Sequence, residues 1–134
     1  MSDITKSSDA GLTLGNGNPQ SRQAGAEIAQ GDALYIDSNG LLQKTSTAQV
    51  FITGTWGVEF KFAGLAPRNI PSGTFGEVFG RGSEFFYADS GLTIGSPVFV
   101  SATAGKLADA AVGSLHRPVA MVVSATNIVL LAGV

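Results

Sequence analysis

Residues 50–62, VFITGTWGVEFKF, alternate almost without error. Val50, Ile52, Trp56, Val58, Phe60 and Phe62 share one parity, and Thr53, Thr55, Glu59 and Lys61 hold the other. A period of two is the signature of a strand with one buried face. Drawn straight, thirteen residues would span about 43 Å, more than a small barrel needs. Gly54 and Gly57 interrupt it where a bend or bulge would sit, and the run is therefore expected to bend or split into a hairpin near Gly54, with Trp56 packed beside the bend.

The rest of the chain from Ala24 onward reads as short β-prone runs separated by turn residues. ALYI at 33–36, DSNG at 37–40 and LLQK at 41–44 make a hairpin, with Asn39 and Gly40 supplying the positive-φ residues of a tight turn. FGEVFGRGSEFFY at 75–87 sets aromatics against glycines, which fits a twisted edge strand or a glycine-relieved bend. SPVFV at 96–100 and RPVAMVV at 117–123 are further strands, and SATN at 124–127 turns the chain into IVLL at 128–131. No window of a dozen residues holds a 3.6-residue period; GKLADAAVG at 105–113 has room for one helical turn.

The two halves resemble each other. IAQGDALYIDSNGLLQKT at 28–45 lines up with LTIGSPVFVSATAGKLADA at 92–110, placing Gly31 on Gly95 and Leu34-Tyr35-Ile36 on Val98-Phe99-Val100, with one extra residue in the second turn. FAGLA at 62–66 and PVAMV at 118–122 follow at matching places. Two copies are too few for a solenoid and suit a pseudo-symmetric small β-barrel or β-sandwich built from repeated hairpins. The fold class is all-β.

Composition adds an unusual surface. Charged residues are 13% of the 134 and hydrophobic residues 44%, against about 25% charged in an average soluble domain. A surface solvated mainly by Ser, Thr, Asn, Gln and Gly is the kind that a partner covers. The net charge of −2 offers no basic footprint for nucleic acid. With no cysteine, disulfides and thiolate metal sites are excluded. The first residues hold no apolar h-region and no run suits a membrane span, so synthesis in the cytoplasm is expected.

Residues 1–23 carry only Ile4, Leu12 and Leu14 as sizeable apolar side chains, too few to offset an ordering cost of about 1–2 kcal/mol per residue. A flexible N-terminal arm over 1–23 is expected, followed by a β-rich domain over 24–134. Two readings of the arm stand side by side: a frayed terminus, or a segment anchored by Leu12 and Leu14 along a neighbouring subunit.

Candidate chemistry is sparse. His116 is the single histidine; on a strand, Ser114 and His116 point to one face with no elbow to expose the serine, so a triad is not expected. The DSNG at 37–40 begins like a calcium loop, but Ala48 stands where the bidentate carboxylate belongs. Glu59, Glu77 and Glu84 are formally available for glycoside hydrolysis, although a solvated carboxylate is the ordinary meaning of such positions. No catalytic residue, metal ligand or cofactor is assigned. Among Phe75, Phe79, Phe85, Phe86 and Tyr87, most are assigned to the core, with Phe86 or Tyr87 as contact candidates.

Gly31-Asp32-Ala33-Leu34-Tyr35-Ile36-Asp37, Gly64-Leu65-Ala66, Gly95-Ser96-Pro97-Val98-Phe99-Val100, Gly105-Lys106-Leu107 and the closing Val119 to Leu131 together resemble the small decoration, or cement, proteins of tailed-bacteriophage heads. The resemblance covers residues 25–134. It implies a non-enzymatic structural module, commonly a homotrimer, that sits on the outer capsid surface and bridges subunits of the major capsid protein. The possible capsid or subunit contacts are Leu12, Leu14, Phe86 and Tyr87. A carbohydrate-binding or fibre-tip module is the alternative, and a hydrolase built on His116 or a glutamate pair is a third.

Overall fold

The computed structural model describes residues 3–15, 19–46, 51–54, 57–110 and 117–134, with 51–60 described in backbone only. Within them lie strands β1 (Gly11–Leu14), β2 (Gln20–Gln23), β3 (Ala33–Ile36), β4 (Leu42–Lys44), β5 (Phe51–Gly54), β6 (Gly57–Phe60) and β7 (Gly64–Leu65). These are followed by β8 (Phe75–Val78), β9 (Glu84–Phe86), β10 (Pro97–Val100), β11 (Leu107–Ala108), β12 (Ala120–Val122) and β13 (Asn127–Leu130). The protein is all-β, and no helix occurs among the described residues. Leu107 and Ala108, inside the segment with room for a helical turn, are a strand instead.

The alternating run splits as its glycines require: β5 and β6 pair antiparallel with Gly54 opposite Gly57. Trp56, between them, lies outside the described residues. The β3–β4 hairpin forms in the expected place, with Ile36 opposite Leu42, but its turn differs. Asn39 does not adopt positive φ; only Gly40 does, at 79°. The Asp37 carboxylate accepts from the N–H groups of Asn39 and Leu41 at 2.9 and 3.0 Å. An Asx-type turn closed by one left-handed glycine replaces the two-residue turn.

Duplication is written into the hydrogen bonds. β3 pairs β7 with Ala33 opposite Leu65 and Leu34 opposite Gly64, while β10 pairs β12 with Pro97 opposite Met121 and Val98 opposite Ala120. Gly31 N–H donates to Ala66 O and Gly95 N–H to Val122 O, both at 2.8 Å; Ala63 N–H donates to Leu34 O and Val119 N–H to Val98 O, again both at 2.8 Å. Gly31 and Gly95 carry φ of 82° and 86°. The second half lies in one six-stranded sheet ordered β1-β9-β13-β12-β10-β11. In the first half, β4-β3-β7 and β2-β8 are joined through a bridge between Leu65 and Phe79. Both halves thus run in the same order, β4-β3-β7-β8-β2 and β11-β10-β12-β13-β9. The sheets do not close into a barrel.

Each half has its own core. Ala24, Ile28, Leu34, Leu42, Ala63, Ala66 and Val78 gather in the first, and their counterparts Ala88, Leu92, Val98, Leu107, Val119, Val122 and Ile128 gather in the second. The halves join because Ala33 and Leu65, on the opposite face of the first sheet, belong to the second core, with Phe79 packed against it.

The expected free arm is a correction. Ile4 is buried in the second core, and its N–H donates to Leu107 O at 2.9 Å. In the first half the matching carbonyl, that of Leu42, accepts from Gly25 at 2.9 Å, and Ala24 bridges Leu42 directly. The second half lacks that direct closure, and residues 3–7 fill the place, with Ser7 N–H donating to Tyr87 O at 2.8 Å. β1 then pairs β9, and β2 pairs β8. Counting apolar side chains missed a segment whose backbone bonds and one isoleucine complete an existing sheet. Ile4→Ala is expected to cost about 2–3 kcal/mol and to open residues 3–10 to amide exchange; an unchanged denaturation midpoint would remove the segment from the fold's support.

Candidate functional site

Alternation decides which candidate side chains reach the surface. In β9 and just beyond, Phe85 and Tyr87 point inward and are both fully buried, while Phe86 between them is half-buried. Tyr87 is therefore not a contact residue but core, which corrects the expectation. Burial pushes its phenol well above the ordinary range. The Leu107 backbone lies near enough to oppose that rise, yet the buried hydroxyl completes no hydrogen bond. Phe86 sits opposite Gly11 on one side and Asn127 on the other. Leu12, opposite Phe85, turns toward the core and is partly buried against it. Leu14, after a bulge, sits opposite Glu84 and is 65% exposed. Of the remaining aromatics, Phe79 packs on the core and Phe75 is 67% exposed.

Leu14 is one end of a row that the strand registers align across five strands. Pro97 in β10 faces Met121 in β12, Met121 faces Val129 in β13, Val129 faces Glu84 in β9, and Glu84 faces Leu14 in β1. Opposed residues in adjacent strands share a face of the sheet. Pro97, Met121 and Leu14 are exposed and Val129 is half-buried. The one charge in the row, Glu84, accepts from the Asn127 side-chain amide at 2.6 Å. Sequence reading found Leu14 in this row but not Met121 or Pro97; the alternation of PVAMVV around Met121 carried the signal.

Several ionisable groups elsewhere fasten one segment to another. Asp32, nearly buried, pairs with Lys6 at 2.8 Å, lies 3.9 Å from Lys44, and accepts from Ala29 N–H at 2.9 Å. Ser101 donates to Asp3 at 2.5 Å and Ser7 to Asp89 at 2.6 Å. The Lys6–Asp32, Ser101–Asp3 and Ser7–Asp89 contacts pin residues 3–7. Glu77 pairs with the exposed Arg68 at 3.1 Å, so Glu77 and Glu84 each serve a local contact. His116, Ser114 and Ala48 lie outside the described residues, as do the side chain of Glu59 and those of the rest of 51–60. Among the described residues no three His, Cys, Asp or Glu side chains gather as metal ligands.

Two grooves occupy equivalent positions in the repeat. One of about 420 Å³ is lined in part by Leu92, Thr93 and Asp109, and one of about 310 Å³ by Ile28, Ala29 and Lys44. The first groove holds one ionisable side chain, Asp109, and the second holds Glu27 as well as Lys44. Comparison of the chain with protein-family models, curated proteins and solved structures finds no match.

Asp37 gives a pH signature. The Leu41 N–H, chiefly, and the Gln43 side chain hold its carboxyl below the usual 3.8. The carboxylate's support of the β3–β4 turn is then present above about pH 4 and is lost as the pH falls through the lowered value. Asp37→Ala is expected to lower the melting temperature at pH 7 and to flatten its fall on acidification; parallel pH profiles for the two proteins would rule the turn out as the source.

Proposed function

We propose that this protein is a structural decoration, or cement, protein of a tailed-phage head. It binds the outer surface of the capsid and stabilises it by bridging subunits of the major capsid protein. On this reading it acts as a homotrimer, without catalysis, and resides in the virion. The observation that carries the reading is the five-strand row from Pro97 to Leu14, an apolar sheet face left uncovered in a chain with few charges. Large exposed apolar patches mark sites of protein association, and the exposed Pro97, Met121 and Leu14 on one sheet face support the reading. Support also comes from the way charged side chains are used: Lys6, Asp32 and Glu84 hold strands and the N-terminal segment in place.

The mechanism is mechanical. A rigid sheet transmits load without rearranging, and linking several weak footprints in one oligomer raises the effective concentration of each at the next site. Rigidity is provided by the shared core and by the fastened N-terminal segment. A fibre-tip or carbohydrate-binding role would call for an aromatic platform; among the residues whose side chains are described, Phe75 is the one strongly exposed aromatic.

Purified protein mixed with expanded empty heads is expected to sediment with them at saturating stoichiometry and to raise the temperature at which the heads rupture. Heads that neither bind the protein nor gain stability would end the cement reading, and a positive glycan array in the same preparation would install its rival.

A further inference from the structure

The two halves finish their cores differently at one place. In the first half, Asn69-Ile70-Pro71 lies along Ile28: Ile28 N–H donates to Ile70 O at 2.9 Å, and Ile70 N–H donates to Ile28 O at 2.8 Å. Ile70 is fully buried in the first core. In the second half Leu92, the counterpart of Ile28, keeps half of that contact. Its N–H donates to Ala125 O at 3.1 Å, and among the described residues nothing bonds its carbonyl. Where the first half sets a buried isoleucine, the second sets an exposed alanine. The shorter connection accounts for the loss, since residues 67–77 link Ala66 to Val78 whereas 123–127 link their counterparts Val122 and Ile128. Ile28 is 1% exposed, while Leu92 is only half-buried. Beside it runs the groove of about 420 Å³, lined by Ile4, Leu92, Val98 and Val122 together with Thr93 and Asp109. Val98 and Val122 are the counterparts of Leu34 and Ala66, which share the first core with Ile70.

We infer that this groove binds an extended peptide segment of a partner protein, with one aliphatic side chain playing against Leu92, Val98 and Val122 the part that Ile70 plays in the first half. The template inside the chain defines the occupant. An isoleucine-like side chain supplies the missing apolar contact, and an adjoining backbone N–H supplies a donor for the Leu92 carbonyl, as main-chain bonds do when extended segments are captured. The groove's single ionisable side chain is Asp109, so an acidic segment would meet like charge. In every copy of this chain Ile70 is buried in its own first core, which makes the segment one from a different protein. The groove shares only Pro97 with the row from Pro97 to Leu14, and its test needs no phage heads, so the two readings fail separately.

The probe is the template itself, a capped peptide of sequence RNIPS, residues 68–72. Titrated into the full chain and followed by backbone-amide NMR, it is expected to shift the Leu92, Thr93 and Val98 amides. The dissociation constant should be on the order of 1 mM, because a short flexible ligand loses its freedom on binding. The same peptide carrying Ile70→Ala should bind about tenfold or more weakly, having lost the buried apolar contact. Thr93→Trp in the protein, which fills the groove from an exposed position, should abolish the shifts and leave the melting temperature unchanged. Ser90→Trp, on the same rim, is the second variant should Thr93→Trp fail to fold. Ala29→Trp, at the position equivalent to Thr93 in the first half, should leave binding intact. Absence of shifts up to about 10 mM peptide overturns the inference. So do shifts that both rim variants leave in place, shifts centred on Ala29 and Lys44 instead, or an alanine peptide that binds as tightly as the original.

Discussion

Burial of Leu65 is the contact on which the rest of the architecture depends. β7 is only two residues long, yet it separates the two cores: Ala63 and Ala66, on either side of it, belong to the first, and Leu65 to the second. A strand buried on both faces has no solvent side to fix its register, so register here comes from steric closeness. Gly64 has φ of 146°, and a Cβ there would meet the Phe79 carbonyl at 2.1 Å. The chain end crosses the same place, with Val134 N–H donating to Ala63 O at 2.9 Å. Glycine at this point lets three backbone segments converge around a side chain whose burial is worth about 1.5–3 kcal/mol.

From that junction follows the unequal treatment of the repeats. The first half closes on itself through Ala24 and Leu42. The second half must also accommodate the first half's face, and its core takes in larger side chains such as Phe62, Phe85 and Tyr87. Its matching edge is bridged by the N-terminal segment, Asp3 opposite Ala108. The Lys6–Asp32 pair then ties that segment back to the first half at the residue preceding β3. A buried ion pair adds little net stability, but losing one partner is costly because the other charge is left uncompensated.

What the sequence made legible was whatever depends on local spacing. The hairpins at 33–44 and 120–130, the split at Gly54, and the repeat with its extra residue in the second turn are all patterns of alternation and glycine placement. The N-terminal segment was illegible because its stabilisation is nonlocal: Ile4 finds its partners about a hundred positions away, at Leu107. Tyr87 was ambiguous for another reason. Consecutive aromatics at 85–87 satisfy either parity, and only the pairing of Phe85 with Leu12 and Ile128 fixes which rings turn inward. The row from Pro97 to Leu14 was half visible, since each of its residues lies in a recognisable strand while their alignment requires knowing the strand order.

The strand edges narrow the ways in which such a molecule can associate. Unpaired edges normally invite pairing between chains, and natural sheets blunt them with short strands, bulges or covering segments. Here β11 is covered by the bridge at Asp3, and β4 is met by Ala24. β1, at the other end of the six-stranded sheet, is four residues long and carries a register shift between Leu12 and Leu14. Two of these edges are thus bridged and the third is blunted by its bulge, while β2, β5 and β6 are each paired with a single strand among the described residues. The outer face of the six-stranded sheet, by contrast, has Leu14, Met121 and Pro97 exposed beside the half-buried Glu84. In a chain with 13% charged residues, bridged and bulged edges take the role that charged edge residues play in other sheets.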